Sequence, residues 1–313
     1  MKQLAFIFPG QGSQEVGMGK DMYDQYDKVR ELFDEADEAL GYPLTKLMFE
    51  GPSDELTKTE NAQPALLLNS AAIALVLKEA GIEPVMTAGH SLGEYSALVS
   101  AGALTPIEAV KLVHIRGKLM EEAYPTGKGA MAAVLGLSKE DIEAAIAELH
   151  SDEVVDLANI NCPGQIVISG TREGVEEASS YLKENGAKRV LPLNVSGPFH
   201  SKLMEPASED FSRYLNETTV TKADIPVYAN VTAQPVQEPE KIEKLLVEQL
   251  YSPVRFQEIL ESFTTQELDA IVEVGHGKVL SGLVKKVNRR TKTFAIQNPE
   301  SVSELITWYK EES

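Results

Sequence analysis

Gly89-His90-Ser91-Leu92-Gly93 reads G-x-S-x-G, the spacing of a nucleophile held on a sharp strand-to-helix turn. Such a turn leaves no room for side chains two residues either side of the serine, hence the glycines, and it lifts the hydroxyl clear. A helix N-terminus behind the serine favours developing negative charge. The flanks agree: Pro84–Ala88 predicts a short strand and Glu94–Ser100 a helix. The chemistry is nucleophilic catalysis by a hydroxyl, which needs a base.

The bases on offer are His90, His114, His150, His200 and His276. Adjacent residues on such a turn point apart, which counts against His90. His150 ends a solvated helix, His114 sits in mid-helix where packing explains it, and His276 lies between two glycines as a turn residue. His200, in Ser196-Gly197-Pro198-Phe199-His200-Ser201, falls at an expected cleft mouth. It leads, but a lone histidine is often structural and the spacing alone leaves the others open. A third chemical feature is Arg116. Its helix opens on Thr105-Pro106-Ile107-Glu108, an N-cap, a first-turn proline and a capping glutamate. Leu112, Arg116 and Met120 then share one stripe. The guanidinium either snorkels to solvent or receives a carboxylate bidentately in a partly dry pocket.

The elements that must carry these residues alternate. Leu4–Phe8 predicts a buried strand, followed by the turn-rich Pro9-Gly10-Gln11-Gly12-Ser13, with helices over Asp24–Leu40 and Ala62–Ala80. Strands separated by helices imply a mainly parallel sheet covered on both faces. The middle of the chain changes character. Ala130–Leu135 reads as a strand, and Ser138 caps a helix with Asp141 at its third position. Ile142, Ala145, Ile146 and Leu149 form that helix's apolar stripe. Val154–Ile160 and Gln165–Ser169 are strand-like around the turn Asn161-Cys162-Pro163-Gly164. A helix from Thr171 toward Gly186 and a strand Lys188–Val195 close the set. This βαββαβ order predicts a ferredoxin-like domain over 128–195. It is inserted in a large α/β-hydrolase-like domain with a short parallel sheet, formed by 1–127 and 196–313. An insertion of this kind often makes a cleft.

Composition bounds the function classes. Of 313 residues, 43% are hydrophobic, enough for a sizeable core, and 48 acids against 29 bases give a net charge of −19. A chain this acidic disfavours nucleic-acid binding through a broad basic face. One cysteine, Cys162, forbids an internal disulfide and any cysteine-built zinc site. The apolar run Leu4–Phe8 is too short for a signal peptide. The longest apolar stretch, Ala65–Leu77, is broken by Asn69 and Ser70 and cannot span a bilayer. The expectation is a soluble cytoplasmic globular protein, off the membrane and monomeric.

Seven segments, in order and across nearly the whole chain, carry a resemblance. They are Phe8-Pro9-Gly10-Gln11-Gly12-Ser13, Gly89-His90-Ser91-Leu92-Gly93-Glu94, Arg116-Gly117-Lys118-Leu119-Met120 and Gly129-Ala130-Met131-Ala132. Asn161-Cys162-Pro163-Gly164-Gln165, Gly197-Pro198-Phe199-His200-Ser201 and Glu248-Gln249-Leu250-Tyr251-Ser252-Pro253 follow. The chain resembles bacterial malonyl-CoA:acyl carrier protein transacylases and the acyltransferase domains of fatty-acid and polyketide synthases. It departs at Gly275-His276-Gly277, where that family more often reads Gly-Pro-Gly.

The resemblance implies transfer of a malonyl group from coenzyme A to the phosphopantetheine thiol of acyl carrier protein, in fatty-acid biosynthesis. It implies Ser91 as the acylated nucleophile and His200 as base and later acid, oriented by the backbone carbonyl of Gln249. The amides of Gln11 and Leu92 would form the oxyanion hole, and Arg116 would hold the substrate carboxylate. Phe199 matches the variant that goes with malonyl over methylmalonyl, and Met120, Asn161 and Gln165 would join Phe199 and Gln249 around the pocket. No metal or cofactor is expected. The alternative is a serine thioesterase or other hydrolase on the same elbow, and the non-enzyme alternative a silent carrier-binding subunit. Carrier proteins are typically acidic, so a local basic patch is needed to meet one. Lys285, Lys286, Arg289, Arg290 and Lys292 form the dense basic run, with 285, 286, 289 and 290 expected on one helix face. Lys188 and Arg189 form a smaller second patch.

Overall fold

The computed structural model describes residues 2–125, 127–149 and 152–311. Among them β1 (Leu4–Phe8) is the centre of the larger unit, and all five of its residues are buried. Leu4, Phe6 and Phe8 pack on one side with Leu66, Leu67 and Leu98, while Ala5 and Ile7 pack on the other with Phe256, Ile259 and Phe263. Burial on both faces is what a helix-covered parallel sheet demands. β2 (Met86–Gly89) runs parallel to β1 on one side.

The chain then leaves this sheet to build a second one. β3 (Gly129–Leu135), β4 (Val155–Cys162), β5 (Gln165–Thr171) and β6 (Arg189–Pro192) form a sheet of order β4-β5-β3-β6, antiparallel at every pairing. The helices Lys139–Ala147 and Arg172–Glu184 supply Ile142, Val175 and Leu182 to its own core with Val134, Ile166 and Ile168. The opposite face, through Met131, Ala158 and Val167, joins the core of the larger unit. The two units are also stitched by backbone. Ile160 N–H donates to Val254 O and Val254 N–H to Ala158 O, each at 2.8 Å.

The larger unit resumes with β7 (Val227–Tyr228), β8 (Pro235–Val236), β9 (Ala270–Val274) and β10 (Thr293–Ile296). Its six-stranded sheet has the order β10-β9-β1-β2-β7-β8, parallel except for the antiparallel edge pair β7–β8. The sheet is thus mainly parallel, as expected, with one antiparallel edge: Val227 and Tyr228 turn back on Pro235 and Val236 through a short hairpin.

Local signals held where a cap defined them. Ser138 Oγ accepts the Asp141 amide at 3.1 Å in a complete capping box, and Thr105 Oγ1 accepts the Glu108 amide at 3.2 Å. Several strand ends shift by one or two residues, and three elements differ in ways that matter for the site or its surroundings. The helix expected over Asp24–Leu40 is two, Lys20–Gln25 and Asp27–Leu40, because Tyr26 turns extended between them. The strand expected over Lys188–Val195 pairs only over Arg189–Pro192, and 193–195 turn onto the cleft that Ser91 and His200 line. The second predicted helix starts earlier, as Thr59–Glu79, with Pro64 inside it. Proline there cannot donate to the Glu60 carbonyl. The His114 ring takes that carbonyl instead, Nδ1 donating at 2.8 Å, which gives this histidine a structural task.

Candidate active site

Ser91 sits at φ 51°, a left-handed conformation that non-glycine residues enter rarely. The turn is enforced by its neighbours. A Cβ on Gly89 would fall 1.9 Å from the Gly93 carbonyl carbon, and one on Gly93 would fall 2.1 Å from Phe8 O. The Gly93–Ser100 helix begins directly behind, and its first amides are spoken for: Gly93 donates to His90 O, Glu94 to Ser91 O and Tyr95 to Leu92 O. The Ser91 amide donates to Asn230 Oδ1 at 2.8 Å. That leaves the Leu92 amide without a protein acceptor among the described residues, and the Gln11 amide shares that condition. Both residues line a cleft of about 140 Å³ together with Ser91, Arg116, Phe199 and His200.

His200, also left-handed at φ 58°, brings Nε2 to 2.7 Å from Ser91 Oγ. Its Nδ1 lies 2.8 Å from Gln249 O. A carbonyl can only accept, so Nδ1 carries the hydrogen and Nε2 presents a lone pair to the serine hydroxyl. Burial, reinforced by the Arg116 charge, pushes the imidazole down to about 3, so the resting ring is neutral. Among the described residues no aspartate or glutamate side chain bonds it: the orienting group is a backbone carbonyl at a helix C-terminus.

Arg116 is 1% exposed. Nη1 donates to Gln63 Oε1 at 2.8 Å, while Nη2 donates to Gln249 Oε1 at 2.9 Å and to Ser91 Oγ at 3.2 Å. All three partners are neutral oxygens. The face of the Tyr95 ring lies 5.3 Å from its guanidinium carbon. A buried guanidinium with only neutral partners is a strong site for an incoming carboxylate. One N–H on each Nη, the second on Nη1 and the one Nη2 shares with Ser91, remains for a bidentate anion. The snorkelling alternative is excluded by the burial. Behind Arg116, Gln249 Nε2 donates to Glu94 Oε2 at 2.7 Å and to Ser91 O at 3.0 Å, and the Asn230 amide donates to Glu94 Oε2 at 3.0 Å. Burial raises the Glu94 carboxyl to about 7, against the lowering effect of those two donors and of Arg116.

A serine hydroxyl, an imidazole and a buried guanidinium that converge on one point make an arrangement chemically able to carry acyl transfer. The acyl transferase domain family matches residues 5–311. The chain belongs to that family. It is 54% identical over 314 residues to the malonyl CoA-acyl carrier protein transacylase of Bacillus subtilis, covering 100% of this chain and 99% of that one. An acyl carrier protein S-malonyltransferase from Vibrio cholerae superposes with TM-score 0.94 at 45% identity, over 97% of this chain and 99% of that one. A malonyl-transacylase solved in complex with its type II polyketide synthase acyl-carrier protein superposes with TM-score 0.95 at 43% identity, again over 97% and 99%.

Within this acyl transferase the structure gathers Ser91, His200, Gln11, Leu92, Arg116, Met120 and Phe199 around one cleft. Gln249 lies behind it, touching both His200 and Arg116. Two expected pocket residues are placed otherwise. Asn161 accepts from His90 Nε2 at 2.7 Å and steadies the elbow. Gln165 does not line the cleft: at the start of β5 its Oε1 accepts instead from Lys286 Nζ at 2.9 Å. Of the other histidines, His276 pairs with Glu15 at 2.9 Å and His150 lies outside the described residues.

The basic run is also rearranged. The helix ends at Val287, with Asn288 extended, so Arg289 and Arg290 do not continue a face with Lys285 and Lys286. Lys285 Nζ donates to Thr291 O, and Lys292 Nζ stands 4.4 Å from the Trp308 ring centroid. Lys188 and Arg189 are exposed at the start of β6. Gln63, Glu94 and Asn230 were missed as site residues. Gln63 and Asn230 carry no spacing signal, and Glu94 was legible only as the residue after the elbow.

Proposed function

We propose that this acyl transferase moves a malonyl group from coenzyme A to the phosphopantetheine thiol of acyl carrier protein, in fatty-acid synthesis. The observation that carries the reading is the arrangement around Ser91 Oγ, with His200 Nε2 at 2.7 Å and Arg116 Nη2 at 3.2 Å. A nucleophile within reach of a buried guanidinium suits an acyl group that ends in a carboxylate, and acetyl offers none.

Ser91 Oγ attacks the thioester carbonyl as its proton passes to His200 Nε2. The carbonyl oxygen takes up negative charge opposite the Leu92 and Gln11 amides, whose hydrogens have no other acceptor. The tetrahedral centre collapses, the C–S bond breaks, and His200 returns the proton to the coenzyme A sulfur. Malonyl-Ser91 is then attacked by the carrier thiol, whose proton His200 accepts and passes to Ser91 Oγ as the ester bond breaks. The exchange is redox-neutral and asks for no cofactor. We further propose that residues 128–195 act as a ferredoxin-like insertion in an α/β-hydrolase-like unit of 1–127 and 196–313, with the acyl cleft at their junction. Carrier docking is assigned to the Lys285–Lys292 run.

The test is covalent capture. Radiolabelled malonyl-CoA is expected to leave one stable label per chain, lost in Ser91→Ala and discharged by carrier thiol. A label discharged by water at the same rate would make the protein a hydrolase, and a label retained in Ser91→Ala would refute the nucleophile.

A further inference from the structure

Glu94 is a buried carboxylate, 2% exposed, that the reaction above gives no task. An isolated buried charge is costly, and a neutral residue of similar shape would generally be easier to hold there. Its surroundings indicate what it does. Gln249 Nε2 is ringed by three oxygens: Glu94 Oε2 at 2.7 Å, Ser91 O at 3.0 Å and Asn230 Oδ1 at 3.3 Å. An amide has one donor end and one acceptor end. With three acceptors around the nitrogen, the amide cannot turn over without setting oxygen against oxygen. Gln249 Oε1 is thereby committed to Arg116 Nη2 at 2.9 Å. Of the three oxygens Glu94 Oε2 is the nearest, so it dominates this choice. The same oxygen accepts the Asn230 amide, tying the 229–234 turn to the elbow.

We propose that Glu94 is a positioning residue for the substrate carboxylate: by fixing the Gln249 amide it aims the Arg116 fork into the acyl cleft. The inference rests on the malonyl-transfer reading and deepens it. It also separates two functions of Gln249. The backbone carbonyl that orients His200 is held by its own helix, Pro239–Gln249, and survives loss of Glu94. The side chain that orients Arg116 does not.

The experiment compares Glu94→Ala and Glu94→Gln with the native chain, measuring single-turnover labelling of Ser91 by malonyl-CoA and by acetyl-CoA across concentration. Glu94→Ala should raise the half-saturating malonyl-CoA concentration ~10-fold, as expected for leaving the buried Gln249 amide without its nearest acceptor. Acetyl labelling should change less than about threefold, since no carboxylate is aimed. Glu94→Gln, which keeps an oxygen acceptor of the same reach, should recover malonyl labelling to within about threefold of native. Equal losses for both acyl groups would overturn the proposal, as would an unchanged malonyl curve or a Glu94→Gln as impaired as Glu94→Ala. Should Glu94→Ala fail to fold, Glu94→Asp, which withdraws the acceptor by one methylene, carries the same expectation. A native chain that takes no malonyl label would instead refute the malonyl-transfer reading itself.

Discussion

Replacing Arg116 by alanine removes the cation that faces Ser91 Oγ, and the structure sets the size of the effect. The clamp offers two N–H groups to a carboxylate, one on each Nη, after Gln63 and Gln249 have taken theirs. Hydrogen bonds to a charged partner contribute ~1.5–3 kcal/mol each, so the pair is worth roughly 3–6 kcal/mol, or about two to four orders of magnitude in kcat/KM. Acetyl makes neither bond. Its rate should move little and could rise, because acetyl no longer leaves a buried guanidinium unanswered. The quantity to measure is therefore a ratio: malonyl over acetyl labelling of Ser91, expected to fall by ~100-fold or more in Arg116→Ala. Reaction of Ser91 with a neutral fluorophosphonate controls for the integrity of the Ser91–His200 pair. If the malonyl/acetyl ratio stays within a few-fold of native while that control is intact, the carboxylate clamp is wrong.

Three further outcomes follow from the geometry. His200 is a base only when unprotonated, and its lowering to about 3 keeps it so in acid: an ordinary histidine at 6.5 would lose about 30-fold of its free-base form by pH 5. Malonyl labelling of the free enzyme should thus persist to pH 5, and any inflection between pH 6 and 8 belongs to Glu94; a titration at 6.5 that survives Glu94→Gln would contradict the buried neutral imidazole. The same lowering means the unfolded chain takes a proton below pH 6.5 that the native state refuses, so this residue's contribution to stability declines as pH falls from 6.5 toward 3. His114→Ala should cost ~1–3 kcal/mol of unfolding free energy, read by denaturant titration, by stranding the Glu60 carbonyl that Pro64 cannot serve; a loss below about 0.5 kcal/mol would refute that role. Charge reversal at Lys285 and Lys286 should raise KM for carrier protein and leave coenzyme A kinetics alone; equal effects on both substrates would remove the docking assignment.

Much of this site was legible because its parts carry local signatures. The elbow needs two glycines around Ser91, and backbone atoms fill the space their side chains would occupy. The Thr105 cap fixed a helix start from which Arg116 could be placed on an apolar stripe. His200 was harder: its partner lies 109 residues away and its own backbone is left-handed, neither of which any periodicity reveals. Gln63, Glu94 and Asn230 act through hydrogen bonds across 53, 155 and 139 residues, beyond the reach of spacing arguments. The Arg289–Arg290 face was misplaced because a regular helix was extended past Asn288, where the backbone turns extended. Gln165 was put at the pocket by resemblance alone, and its strand starts where expected while its side chain pairs with Lys286.

The backbone at Ser91 sets the needs of catalysis against those of folding. A serine at φ 51° carries strain of ~1–3 kcal/mol that glycine would not feel, while glycine's greater freedom when unfolded returns about 0.5–1 kcal/mol of that advantage. Ser91→Gly should therefore give an inert chain that melts no lower than its parent, and by this reckoning higher. The most durable version of this protein is one that has given up its hydroxyl, and the working version tolerates a permanent internal tension at the point where bonds are exchanged.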